Sequence, residues 1–181
     1  ARYTLGLPPL VSGSGDRVVD TGDYMEVGRL SLSSSKLIVT GHARLYVRGN
    51  VSFSGTASIE IQPGASLQLI VGGSSTFLGG NGVVNMNNSA LHFNYWGLNS
   101  NTSVTLAGNA SLTGTIYAPH ANLTMNGGGS TTYDLVGAAV AKTAKLNGHF
   151  NFHYDEALKS VGPKRWYLVT EWNETTGWTE I

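Results

Sequence analysis

Between Gly108 and Phe152 the chain repeats itself, and no other feature restricts its possible folds as much. Leu112, Gly114, Ala118, Ala121 and Leu123 recur 23 residues later as Leu135, Gly137, Ala141, Ala144 and Leu146. Asn126-Gly127 has a near-echo in Asn147-Gly148, two residues out of that register. A fixed period of this length is the mark of stacked repeats, in which each unit buries its apolar face only against its neighbours. The phrases within each copy are short and strand-like. Each copy therefore reads as one coil of a β-solenoid.

The chain upstream agrees. Apolar residues one apart follow in succession: Leu30/Leu32, Leu37/Val39, Leu45/Val47, Val51/Phe53, Ile59/Ile61 and Leu67/Leu69/Val71. Period two marks a strand with one buried face. Ser31, Ile38, Tyr46, Ser52, Glu60 and Gln68 lie between and face outward. Strand starts advance by six to nine residues with Gly or Ser between them, so three strands make about one 23-residue coil. A hairpin-based sandwich is the structural rival. Such short strands with few Asn-Gly or Asp-Gly turns make poor hairpin arms, which favours the solenoid. Gly79-Gly80-Asn81-Gly82 is expected to form a sharp turn, and Asn99–Asn101 to bulge outward.

The expected fold is thus all-β: a single-stranded right-handed parallel β-helix of five or six coils over residues 30–154. At about 4.8 Å per coil its length is roughly 25–30 Å. Residues 1–29, with Pro8-Pro9 and seven charges, are expected to be an N-terminal cap with a strand or two near Val18-Val19 and Tyr24–Val27. Residues 155–181 are expected to be a C-terminal cap. There Asp155 would cap a short helix to about Val161, and Trp166–Trp172 and Trp178–Ile181 would pair as a hairpin. An uncovered end coil would otherwise invite edge-to-edge association.

Charge narrows the function. The net charge is zero, which disfavours nucleic acid and anionic membranes as partners. Only Lys36, Arg44, Arg48, Glu60, Asp134, Lys142 and Lys145 are charged between Leu30 and Phe152. A glycan lyase or hydrolase needs acids converging on one face. Glu60 and Asp134 are the solenoid's only acids and lie far apart in sequence, so no enzyme is expected. There is no cysteine, hence no disulfide or thiolate metal site. No cofactor motif and no calcium-binding repeat is present, and no metal is expected. No apolar run reaches the roughly 18–20 residues that cross a bilayer. No signal peptide is seen, so Ala1 is expected to be a mature terminus or a boundary within a longer chain.

Two clusters have residue types that chemistry uses. Phe152-His153-Tyr154-Asp155-Glu156, with His149 nearby, combines imidazoles and carboxylates. A strand leaving the last coil and a capped helix beginning is the simpler reading. His92, Tyr95, Trp96, Tyr117 and His120 would fall on adjacent coils and form an aromatic strip, the kind of surface on which sugars stack. The competing reading puts some of these rings in the core. Sequons begin at Asn50, Asn87, Asn101, Asn109, Asn122 and Asn173, as expected by chance in a chain rich in Asn, Ser and Thr.

Three stretches carry a family likeness: Gly114-Thr115-Ile116-Tyr117-Ala118-Pro119-His120-Ala121; Leu146-Asn147-Gly148 followed by Phe152-His153-Tyr154-Asp155-Glu156-Ala157-Leu158; and Trp166–Glu174. Over Leu37–Trp172 the chain resembles a poorly characterised domain of bacterial surface proteins, found in pilus-assembly and minor-pilin-like chains. The resemblance implies an exported, surface-exposed or filament-associated protein with a β-helical body. Such relatives often carry an N-terminal membrane segment that this sequence does not show. With low charge on its faces, the expected role is an extracellular structural subunit that self-associates through solenoid faces. The alternative is an adhesin module that binds cell-surface polysaccharide through the aromatic strip.

Overall fold

The computed structural model describes residues 15–108, 112–127 and 133–160. Every strand pairing in it is parallel, and the chain winds into a β-solenoid of about six turns. Parallel neighbours cannot be joined by hairpins, which disposes of the sandwich.

The first coil is β1 (Arg17–Val19), β2 (Gly22–Glu26) and β3 (Leu30–Leu32). The second is β4 (Lys36–Val39), β5 (His42–Val47) and β6 (Val51–Phe53). The third is β7 (Ser58–Ile61), β8 (Ser66–Val71) and β9 (Ser75–Leu78). The fourth is β10 (Gly82–Asn85), β11 (Phe93–Gly97) and β12 (Ser103–Gly108). Two long strands, β13 (Leu112–Gly127) and β14 (Tyr133–Asn147), continue the stack, and β15 (Phe150–His153) pairs with the start of β14.

The parallel ladder begins thirteen residues before Leu30. Arg17↔Leu37 and Tyr24↔Leu45 pair like any later coils. Residues 17–29 therefore belong to the solenoid, not to a separate cap, although their charges mask the period-two pattern. At the other end the expected helix appears as a 3₁₀ turn, Glu156–Ser160. Asp155 Oδ1 accepts from Ala157 N at 2.9 Å, as a capping residue would. The hairpin expected over Trp166–Ile181, and residues 1–14 of the expected N-terminal cap, lie outside the described residues.

Three faces run along the first four coils. One is the sheet β1-β4-β7-β10; the others are the rows β2-β5-β8-β11 and β3-β6-β9-β12. β13 and β14 extend the last two rows with a bend between them, while the first row stops at β10. Buried Asn85 closes that row by donating to Ser89 O at 2.8 Å and to Thr113 O at 3.0 Å, tying β10 to β13.

Inside, like stacks on like. Leu37, Ile59 and Val83 form one buried column; Leu45, Leu69, Tyr95 and Ile116 form another. Each column is what strict alternation within a strand produces when the coils keep register.

The repeated glycines have distinct jobs. A Cβ on Gly114 would meet the buried Phe93 ring at 2.6 Å, and Gly137 has φ +146° with its missing Cβ aimed at Gly114 O. Gly80 and Gly82, at φ +65° and +63°, make the sharp turn expected there.

The register of β13 against β14 resolves the two offsets in the repeat. Leu112↔Leu135, Gly114↔Gly137 and Ala118↔Ala141 pair at the 23-residue offset. Beyond a bulge at Pro119-His120-Ala121, Asn126 pairs with Asn147 and Leu123 with Ala144, an offset of 21. The near-echo is the true pairing, and the Ala121/Ala144 and Leu123/Leu146 identities are not ladder partners.

Candidate functional site

The outer surface of the β2-β5-β8-β11-β13-β14 row carries the most unusual side chains. Outward positions on it stack in register: Met25, Tyr46, Ile70, Trp96, Tyr117 and Val140. This is one apolar side chain on each of six successive rungs. Met25, Tyr46 and Ile70 are half-buried, while Trp96, Tyr117 and Val140 are 42%, 44% and 49% exposed. The Trp96 and Tyr117 rings pack together with centroids 5.2 Å apart at 48°, a favoured aromatic geometry. The Tyr46 hydroxyl leans over Gly72, where a Cβ would come within 3.1 Å of it.

Two residues earlier along each strand runs a parallel polar column: Asp23, Arg44, Gln68, Asn94 and Thr115. Arg44 grips Asp23 with Nε and Nη2 both at 2.7 Å, and this pairing holds the guanidinium pKa above its usual value. Thr115 Oγ1 donates to Asn94 Oδ1 at 2.7 Å, and Asn94 Nδ2 donates to Leu91 O at 3.0 Å. At one end of the two columns Asp23, Tyr24, Arg44, Tyr46 and Ile70 line a shallow depression of about 150 Å³.

Of the five residues that sequence points to, the structure brings Trp96 and Tyr117 together on the surface. Tyr95 is a correction: it is only 1% exposed and points into the core, because alternation turns the residue next to outward Trp96 inward. There its hydroxyl lies 2.6 Å from Thr76 Oγ1 and donates to Asn101 Oδ1 at 3.0 Å. His92 sits in the 3₁₀ turn Ala90–His92 at the sheet's border, half-buried, its buried Nδ1 without a hydrogen bond among the described residues. His120 is exposed on the bulge of β13, past the end of the strip. Asn101 is a second correction. It is fully buried and donates to Gly73 O at 2.9 Å, filling the corner between β11 and β12 instead of bulging outward.

Met25, Tyr46, Ile70 and Val140 complete the column and were not grouped by sequence reasoning. Successive members are 21, 24, 26, 21 and 23 residues apart, so no single period aligns them.

The carboxylate–histidine cluster after Phe152 is mostly committed to structure. Asp155 Oδ2 accepts from Ala90 N at 2.7 Å while Oδ1 accepts from Ala157 N, so one carboxylate serves both 3₁₀ turns. His153 Nε2 lies 3.5 Å from Asp134 Oδ1, and Glu156 pairs with Lys159 at 3.3 Å. Glu60 is paired with Lys36 at 2.8 Å on a different sheet from Asp134. Among the described residues no three His, Asp or Glu side chains are grouped to hold a metal ion. No helix among them is long and apolar enough to cross a membrane.

No curated protein and no solved structure matches the chain significantly. A family model does, over residues 9–161, which is most of the chain. The chain belongs to the family described as Domain of unknown function (DUF7305).

Proposed function

We propose that the chain is a non-catalytic, carbohydrate-binding module of the bacterial cell surface, its solenoid serving as the rigid support for an aromatic strip. The carrying observation is the solvent-facing stack of Trp96 on Tyr117 within an unbroken apolar column. Large rings held against each other on a rigid sheet lose little entropy on binding, and the polar column alongside supplies directional hydrogen bonds. The likeness to pilus-associated surface domains supports an extracellular setting. A glycan array tests the reading: specific binding that disappears in Trp96→Ala supports it, and the absence of any glycan signal sinks it.

A second reading, a structural filament subunit that self-associates, draws on a different surface. Over residues 138–147 the edge of β14 away from β13 has no partner among the described residues. Leu146 there is 50% exposed, whereas its ladder neighbour Met125 is 3% exposed. A free strand edge of this kind favours end-to-end stacking of copies. Sedimentation at high protein concentration tests it, and a strict monomer counts against it.

A further inference from the structure

We propose that the ligand is a neutral, unbranched polysaccharide laid along the solenoid axis, crossing the coils over Tyr46, Ile70, Trp96 and Tyr117. This rests on the carbohydrate-binding reading and adds to it the ligand's charge, its direction and its minimum length.

Direction follows from the column. Apolar side chains repeat once per coil, about 4.8 Å apart, close to the advance per ring in an extended hexose chain. A chain running along the axis meets a fresh apolar side chain at each sugar. A chain running along one strand meets Trp96 and then the polar Asn94 two residues away. The hydrogen-bonding groups repeat in step: Arg44, Gln68, Asn94 and Thr115 flank Tyr46, Ile70, Trp96 and Tyr117 at a lateral distance of about 7 Å. Ring faces thus rest on one column while edge hydroxyls reach the other.

Charge follows from the same two columns. Their only ionised groups are Asp23 and Arg44, and these neutralise each other through two bonds of 2.7 Å. Within these two columns a uronate or sulfated chain would find no uncompensated cation, the exposed Arg48 lying outside them two residues beyond Tyr46, so neutral sugars fit the columns best.

Length and partner class follow from size. The depression beside Arg44 and Tyr46, about 150 Å³, is smaller than the roughly 300 Å³ at which self-sufficient small-molecule sites begin. A single sugar is therefore held weakly, and affinity must accumulate over rungs. The whole face, about five residues wide and five coil steps long, offers roughly 400 Å². A stable protein partner needs about 800 Å² on each side. This argues against a second copy of the chain as the occupant of this face.

The test is calorimetric titration of the full chain with neutral β-1,4-linked gluco- and N-acetylgluco-oligosaccharides of two to six units. Affinity should rise at least about tenfold from dimer to tetramer and then level off. Tyr46→Ala, two coils from Trp96, should flatten that length dependence, while Trp96→Ala should abolish binding, each variant retaining the circular dichroism of the parent. Length-independent binding overturns the proposal, as does a Tyr46→Ala variant that binds the hexamer like the parent. Either result leaves the carbohydrate reading standing with a different pose. Stronger binding of polygalacturonate oligomers overturns neutrality. No binding in any series, together with a concentration-dependent dimer lost in Trp96→Ala, overturns both readings and assigns the face to a second copy.

Discussion

Removing one hydroxyl from the interior should weaken this solenoid more than removing one from its surface. Thr76 Oγ1, Tyr95 Oη and Asn101 Oδ1 are linked at 2.6 and 3.0 Å, and Asn101 Nδ2 returns to Thr76 Oγ1 at 3.5 Å while also bonding Gly73 O. Each of these side chains is at most 1% exposed. The ring joins the third coil to the fourth inside an otherwise apolar column. Tyr95→Phe keeps the aromatic packing but leaves Asn101 Oδ1 without its donor and Thr76 without its nearest acceptor. One buried polar atom left unsatisfied costs about 1–3 kcal/mol. Thr76 can rotate towards another partner, so a total near 2 kcal/mol is expected, or about 1 M in urea midpoint at a slope near 2 kcal/mol/M. Tyr46→Phe, at a half-exposed ring, should stay within about 0.5 kcal/mol of the parent. Burial also raises the Tyr95 phenol pKa above its ordinary 10.0, its hydrogen bonds with Thr76 and Asn101 only partly opposing this. The folded state then keeps a proton that the unfolded state releases. Stability should accordingly fall above pH 10 by up to about 1.4 kcal/mol per pH unit from this group, a slope that Tyr95→Phe removes. Equilibrium urea unfolding at pH 7 and at pH 10–11 measures both effects. A Tyr95→Phe midpoint equal to that of Tyr46→Phe would refute the reasoning.

Gly137→Ala should destabilise by at least about 2 kcal/mol, because φ is +146° and the new Cβ would collide with Gly114 O; thermal unfolding reads the loss. Asp155→Ala should cost about 1–2 kcal/mol, with amide exchange accelerating at both Ala90 and Ala157, since one carboxylate receives both N–H groups. Lys36 is held above its usual pKa, first by its hydrogen bond and then by its charge interaction with Glu60. That raised pKa makes its contribution full below pH 10.5 and lost as pH rises through the folded value, so Lys36→Met should leave the unfolding midpoint less sensitive to pH in that range.

Much of the fold was legible because a solenoid writes its interior into period-two pairs, and Leu37/Val39 through Leu67/Leu69/Val71 are all buried as alternation demands. Its start was not, because β1 and β2 place the charged Arg17 and Glu26 at inward register positions, opposite Leu37 and Val47, where they pair with each other at 3.8 Å, and Asp23 looks like a cap residue until Arg44 is seen across the ladder. Of the six members of the strip only Trp96 and Tyr117 were legible, and Tyr95 was misassigned for the same reason that they were found. Alternation assigns Trp96 and Tyr95 to opposite faces, but the sequence does not say which is outward until the register to Leu69 and Ile70 is known. Asn101 was misplaced because a polar residue in an Asn-rich loop normally faces water. The Tyr95 hydroxyl, the Gly73 carbonyl and the Thr76 hydroxyl give it a reason to be inside.

Register also explains how such a chain keeps a continuous surface while its coils change length. Between the Ile70 and Trp96 rungs the coil contains 26 residues, against 21 between Trp96 and Tyr117. The excess is absorbed at corners, where no ladder bond must be kept. β13 carries two more residues than β14 between Ala118 and Asn122, and the pairing resumes beyond them. What fixes each rung is the inward neighbour: Leu45, Leu69, Tyr95 and Ile116 stack in one buried column, and a one-residue slip would turn each of them to solvent. The core thereby aligns Tyr46, Ile70, Trp96 and Tyr117 even though no constant period separates them. An insertion at the Pro119–Ala121 bulge should therefore leave the Trp96–Tyr117 stack intact, whereas one between Tyr95 and Gly97 should break it. Tryptophan fluorescence of the two insertion variants distinguishes these outcomes. An equal shift in both would mean that the strip is not held by the interior ladder.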